Sequence, residues 1–201
     1  MSLLEPAGLI FDCDGTLADT MPLHYEAWVA TLAEFGLTLD EDRFYAWGGW
    51  PTHAVAKTLA EEKGLTVDIA KLTTDKENRF LDTLHKVTAI EVVLSEARAA
   101  RGKIPMAVAT GATSDVCERI LNTIGIRDWF DTIVGAEHTA RHKPEPDVFL
   151  EAARRIGVDP AQCRVYEDAD PGIEAAKRAG MEYIDVRKWH VPRRVTGLRT
   201  A

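Results

Sequence analysis

Residues 8–17 read Gly8-Leu9-Ile10-Phe11-Asp12-Cys13-Asp14-Gly15-Thr16-Leu17. A short apolar run ends on two carboxylates one residue apart, followed by a glycine and a hydroxyl. An apolar run bounded by a glycine and a charged turn suits a buried strand. Such a strand delivers Asp12 to its carboxyl end. Gly15 allows a sharp turn there because it has no Cβ. Two acids at i and i+2 on a turn can face one reacting atom, one as nucleophile and the other as proton donor. The same residues could also be a strand end with an acidic turn, so the rest of the chain decides.

Further apolar runs at 106–109, 132–134, 164–166 and 183–186 read as buried parallel strands. Helical patterns separate the later ones. Residues 113–124 place Val116, Ile120 and Ile124 on one face and stop at Gly125, and 147–156 stop at Gly157. A third helix is expected to be capped by Asp170, with Pro171 at its first position, and to stop at Gly180. Strand alternating with helix predicts an α/β fold with an open parallel sheet and helices on both faces. The alternation fails over residues 17–90. There Tyr25, Trp28, Leu32 and Phe35 share one helical face, Pro51 opens a helix to Lys63 stopped by Gly64, and a long helix is expected over 68–86. The expected division is a core of 1–16 and 91–201 with a helical insert, 17–90, that leaves and rejoins beside Asp12 and could act as a lid.

Ligands in open α/β sheets bind beyond the carboxyl ends of the strands. The strand ends here carry compatible chemistry: Asp12 and Asp14, then Thr110-Gly111-Ala112, then Lys143 in Lys143-Pro144-Glu145-Pro146, then Glu167-Asp168. A hydroxyl and free N–H groups leading into a helix suit a phosphate. Clustered carboxylates repel one another by about 4 kcal/mol per pair at 4 Å and an effective dielectric near 20. A phosphate added to them requires cations. Lys143 is one; the oxygen-only donor set makes Mg²⁺ the expected second.

Composition narrows the setting. The 201 residues are 46% hydrophobic with a net charge of −8, which supplies a core and argues against nucleic-acid affinity. The N-terminus lacks a basic and apolar leader pattern, and no run reaches the roughly 18 apolar residues of a membrane span. Cys13, Cys117 and Cys163 are odd in number and widely spaced, as expected for reduced thiols of the cytoplasm. No interface stripe is evident, so a monomer is expected.

With these residues placed, the chain resembles the haloacid dehalogenase-like hydrolase superfamily in its phosphatase branch. Asp12-Cys13-Asp14-Gly15-Thr16 resembles its first motif, Thr110 its second, Lys143 its third and Glu167-Asp168 its fourth. Cys13 departs from the commoner Phe, Met or Leu. The resemblance implies a Rossmann-like core with a small helical cap, and most closely a sugar-phosphate phosphatase of the bacterial fructose-1-phosphate type. It implies Asp12 as nucleophile, Asp14 as acid and base, and Thr110, Gly111 and Lys143 as phosphate holders. Mg²⁺ would lie on Asp12, Asp168 and the Asp14 carbonyl, with Glu167 orienting Lys143 or a water. His24 and Trp50 are candidate substrate contacts, with Trp47 beside Trp50 as an apolar wall.

Three rivals follow. A β-phosphoglucomutase-type isomerase would carry Lys and Arg on a cap loop; here the loop Trp47-Gly48-Gly49-Trp50-Pro51-Thr52-His53 has neither. A dehalogenase needs neither Asp14 nor Asp168. A non-catalytic phosphosugar-binding protein predicts loss of Asp12 or Asp14. The cationic tail of Arg187, Lys188, Arg193, Arg194 and Arg199 reads as a solvated terminus or a steering element for anions.

Overall fold

The computed structural model of the protein describes residues 5–195. The first four residues, half of the N-terminal segment read for a leader, and the last six, including Arg199, lie outside the described residues. Five strands form one parallel sheet: β1 (Gly8–Phe11), β2 (Met106–Ala109), β3 (Thr132–Val134), β4 (Cys163–Glu167) and β5 (Glu182–Asp185). Their order is β3-β2-β1-β4-β5. Ile10 pairs with Ala107 on one side and Val165 on the other, so β1 is central and buried along its length.

Side-chain alternation along β1 splits the core into two layers. Leu9 and Phe11 pack with Val93, Leu94 and Ala97 of α5 (Glu91–Ala100) and Ile120 and Leu121 of α6 (Ser114–Thr123). Ile10 packs on the opposite face with Phe149 of α7 (Asp147–Ile156) and Ala175 and Ala176 of α8 (Asp170–Arg178). The chain runs outward from β1 through β2 to β3, then returns to lay β4 and β5 on the other side. The strand order therefore reverses between β1 and β4, which opens a crevice at their carboxyl ends.

Residues 17–90 contain no sheet strand among the described residues. They hold α1 (Met21–Glu34), α2 (Glu41–Ala46), α3 (Thr52–Lys63) and α4 (Ile69–Asp82). Tyr25, Trp28 and Leu32 of α1 pack with Phe44, Val55, Leu59 and Leu72 in a separate apolar cluster, with Phe35 at its edge. Leu23 and Ala27 on the other side of α1, and Phe80 of α4, join the sheet core instead.

Three expectations need correction, and two helices were not expected. The long helix over 68–86 breaks at Thr83, whose hydroxyl donates to the Phe80 carbonyl at 2.7 Å; a 3₁₀ turn follows at Leu84–Lys86. Asp170 is the first helical residue of α8 and Ala169 precedes it as the cap. α2 and α5 carry no signal strong enough to predict them, although Asp40 caps α2 by accepting from Asp42 N and Arg43 N. The described part of the tail is not a solvated terminus. Arg187 pairs with Asp185 and Asp170. Beyond it, Arg193 faces Glu26, and Arg194 pairs with Asp42 and lies 4.2 Å over the Tyr45 ring. Val195 donates its N–H to Glu41 at 2.6 Å and packs on the helical cluster. Residues 187–195 thus strap the sheet to α1 and α2, with Arg193 and Arg194 facing acids of those two helices. All three cysteines are buried free thiols. No described helix is long and apolar enough to cross a membrane.

Candidate active site

The crevice beyond β1 and β4 gathers the chemistry. Asp12 extends the sheet by donating its N–H to the Tyr166 carbonyl at 3.0 Å, which fixes it beside β4. The next residues wrap tightly, with the Cys13 carbonyl accepting from Leu17 N and Ala18 N, both at 3.0 Å. The Cys13 side chain turns away into the core. Gly15 has φ +82°, and a Cβ there would fall 2.2 Å from Asp168 Oδ2. Only glycine fits that turn against Asp168.

Lys143 is buried and fully engaged. Its Nζ donates to Asp12 Oδ1 at 2.7 Å, to Glu167 Oε2 at 2.8 Å and to the Ala109 carbonyl at 3.3 Å. The other Glu167 oxygen accepts from Asp168 N at 3.2 Å and Ala169 N at 3.1 Å. Glu167 therefore ties Lys143 to the start of α8. Carboxylate oxygens of Asp12, Glu167 and Asp168 lie within 4.8 Å of one another. Three carboxylates face one lysine, and their protonation reflects the imbalance. Burial pushes Asp12 up to about 8, with Glu167 adding and Lys143 opposing. Burial likewise holds Asp168 well above its usual range, with Glu167 and Asp12 adding to the effect. A cluster of hard oxygen donors short of positive charge fits a divalent cation such as Mg²⁺.

Gly172 allows this arrangement. A Cβ on it would lie 2.1 Å from Glu167 Cδ. Gly172→Ala is expected to push Glu167 off Lys143, costing about 1–3 kcal/mol as an overpacked site does. Turnover should fall at least ~10-fold through misplacement of Lys143. Denaturant unfolding and phosphate release measured on one preparation check both effects.

Asp14 faces away from Lys143. Thr20 Oγ1 donates to its Oδ1 at 2.7 Å and His24 Nε2 at 3.1 Å. Behind His24, Lys76 Nζ donates to Nδ1 at 2.9 Å, and the imidazole stacks on Phe80 at 3.6 Å. A ring that accepts at Nδ1 and donates at Nε2 is neutral. Burial and the Lys76 charge accordingly hold His24 below its usual value, against the pull of Asp14. Burial alone would raise Asp14, but the bonds and charges from His24, Thr20 and Lys76 outweigh it and leave its carboxyl below the ordinary range.

Thr110 follows β2 and is buried; its Oγ1 accepts from Ala112 N at 3.1 Å. The Gly111 N–H has no acceptor among the described residues. One expectation changes here. The N-terminus of α6 is not open to a phosphate, because the Glu137 carboxylate accepts from Ser114 N at 2.9 Å. Any anion cradle at this strand end is the Thr110–Gly111 loop itself.

The insert closes over these groups. Gly48 and Gly49 lie against the core: a Cβ on Gly111 would sit 3.4 Å from the Gly49 carbonyl oxygen, and one on Gly48 would sit 3.2 Å from the Ala169 Cβ. Between insert and sheet lies a cavity of about 110 Å³, lined from the core by Asp12, Asp14, Thr110 and Gly111. His24, Trp47, Trp50, Thr52, Lys76 and Glu77 line it from the insert. The indoles of Trp47 and Trp50 stack with centroids 5.0 Å apart, and Trp50 is 40% exposed. Of the site residues singled out from the sequence, Asp12, Asp14, His24, Trp50, Thr110, Gly111, Glu167 and Asp168 line this cavity, while Lys143 is buried behind Asp12 and Glu167. Thr52, Lys76 and Glu77 were missed. A signal existed: Leu72, Lys76 and Phe80 fall at i, i+4 and i+8 on the buried stripe of α4, and the lysine there is 3% exposed.

Comparisons with known proteins agree with this geometry. The model of the haloacid dehalogenase-like hydrolase family matches residues 9–186. Fructose-1-phosphate phosphatase of Escherichia coli is 43% identical over 185 residues, covering 90% of this chain and 96% of that one. A phosphorylated carbohydrates phosphatase of Thermotoga maritima is 29% identical, covering 88% and 82%. The crystal structure of β-phosphoglucomutase from Clostridium difficile superimposes with a TM-score of 0.79 at 25% identity, over 90% of this chain and 84% of that one. By the extent of that family match and its likeness to the E. coli enzyme, the chain belongs to the haloacid dehalogenase-like hydrolases.

Proposed function

We propose that the chain is a Mg²⁺-dependent phosphatase of small sugar phosphates, fructose 1-phosphate among them, working through a phosphoryl group carried on Asp12. The observation that carries this reading is the pairing at β1: Asp12 held on Lys143, and Asp14 held on Thr20 and His24, lining one cavity. In this reading Asp12 attacks phosphorus, while Thr110 Oγ1 and Gly111 N–H receive phosphate oxygens. Asp14 is ionised in the free protein; the anionic phosphate beside it would favour its protonation in the substrate complex, so that it gives that proton to the departing sugar oxygen and then takes one from the water that frees Asp12. Lys143 offsets charge on Asp12, and Glu167 positions Lys143. Asp12, Asp168 and the Asp14 carbonyl would hold the cation, which neutralises charge on the transferring phosphoryl group. Residues 17–90 act as a cap that excludes water and bears on the sugar, with His24 and Trp50 on its inner face.

A mutase would need cations in the cap for a second phosphate, and the loop over the cavity, Trp47 to His53, contains neither Lys nor Arg. The test is phosphate release from a panel of sugar phosphates, with Mg²⁺ and with chelator. Release that requires Mg²⁺ is expected. Activity undiminished by chelator, or no turnover across the panel, overturns the reading. Conversion of β-glucose 1-phosphate to glucose 6-phosphate that depends on added bisphosphate would establish the mutase instead.

A further inference from the structure

The insert side of the cavity is built in part by α3 and α4, and one carboxylate dominates it. Thr52 Oγ1 donates to Glu77 Oε1 at 2.6 Å, and Lys76 Nζ donates to the same oxygen at 3.1 Å. Both bonds fall on Oε1, so Oε2 has no donor among the described residues. The Glu77 side chain keeps 31% of its surface while Lys76 keeps 3%. The carboxylate is therefore fixed at one oxygen, has no donor among the described residues at the other, and belongs to a residue that lines the cavity. Burial would raise its protonation, but Lys76, His24 and Thr52 outweigh this and hold the carboxyl below its usual range. It is ionised at neutral pH.

The neighbouring lysine forms an ion pair with this carboxylate, so the pair adds no net charge to the wall. Lys76 gives hydrogen bonds to His24 Nδ1 and Glu77, and its ammonium lies 5.6 Å from the Trp28 and Phe80 ring centroids. Its charge and that of Glu77 balance each other, and both residues line the cavity. The rest of the wall includes the Trp47 and Trp50 indoles. An acceptor-only carboxylate beside aromatic faces suits a neutral polyhydroxyl group, which offers O–H donors and an apolar ring face. It offers a second phosphate or a carboxylate no uncompensated cation, because Glu77 neutralises Lys76.

We propose that Glu77 is a specificity-determining residue: Oε2 accepts sugar hydroxyls, and by neutralising Lys76 the carboxylate denies bisphosphates and phosphorylated sugar acids a cation for their second charged group. This rests on the phosphatase reading and names its substrate class as monophosphates of neutral polyols and sugars. Glu77→Gln keeps the shape and one acceptor oxygen but removes the charge. Thr52→Val removes a bond to Oε1 and leaves the charge in place.

The experiment compares kcat/KM for fructose 1-phosphate and fructose 1,6-bisphosphate in the parent protein and both variants. The parent is expected to favour the monophosphate at least ~10-fold. E77Q should lower that preference by about tenfold or more, with its loss on the monophosphate carried mainly by KM. T52V should keep the preference. A parent that takes the bisphosphate equally well overturns the proposal without any variant. An unchanged preference in E77Q, or the same collapse in T52V, overturns it as well. Absence of turnover on every sugar monophosphate by the parent would instead defeat the phosphatase reading, so the two failures are distinguishable.

Discussion

Asp12→Asn is expected to abolish turnover of every phosphate ester, by ~10⁴-fold or more, as loss of a nucleophile does. The same substitution should stabilise the chelated protein. Asp12, Glu167 and Asp168 crowd around a single lysine, and the environment already disfavours charge on Asp12. The amide keeps an oxygen for Lys143 Nζ, while Glu167 at 2.8 Å still pairs that lysine. One of three mutually repelling carboxylates is gone at little cost in packing. A gain on the order of 1–3 kcal/mol in chelator is expected, because buried charge is tolerated only where it is paired. Saturating Mg²⁺ should shrink or reverse that gain, since the cation now loses a ligand. Denaturant melts of both proteins, with and without Mg²⁺, check the stability half; phosphate release checks the other. Retained activity removes Asp12 as nucleophile. Loss of activity with no stability gain in chelator would place the cluster's excess charge elsewhere.

The same imbalance explains what the sequence made legible. Parallel strands are buried on both faces, so they read as short apolar runs, and three of the runs here, β1, β2 and β4, end on residues that carry chemistry. Asp12, Thr110 and Glu167-Asp168 need only the next few residues to be placed, and the sheet brings those strand ends together. The Lys143 loop follows β3 in the same way. Residues lining the cavity from the insert have no such local frame. Lys76 and Glu77 depend on α4 packing against α1, whose His24 lies 52 residues earlier than Lys76. Their neighbours also read as an ordinary amphipathic stripe, in which a lysine looks like a break in the period. The strap was illegible for a related reason. Arg193 and Arg194 read as solvated until Tyr45, Asp42 and Glu26 are known to stand opposite them. Glu137 closed the α6 N-terminus in a way that no local pattern could show.

Asp14→Ala should separate the two halves of the proposed reaction. Asp14 sits on Thr20 and His24, outside the Lys143 cluster, so its loss leaves Asp12 and its partners in place. A sugar oxygen leaves poorly as an alkoxide and needs a proton in the transition state. A p-nitrophenolate leaves without one. General-acid catalysis is worth ~10²–10⁴, and kcat/KM for a sugar phosphate is expected to fall by that factor. For p-nitrophenyl phosphate the fall in kcat/KM should be at least ~10-fold smaller. That ratio covers steps up to transfer onto Asp12, in which the phenolate ester does not use Asp14. Steady-state kcat should still drop for both esters, because the water that frees Asp12 loses its base. The variant should then release p-nitrophenolate in a burst close to one equivalent and accumulate phosphoryl-enzyme, which the parent turns over. Rapid-mix absorbance and acid-quenched phosphoprotein on the same samples test this. Equal losses in kcat/KM for the two esters, with no burst, would mean that Asp14 shapes the site without moving the proton.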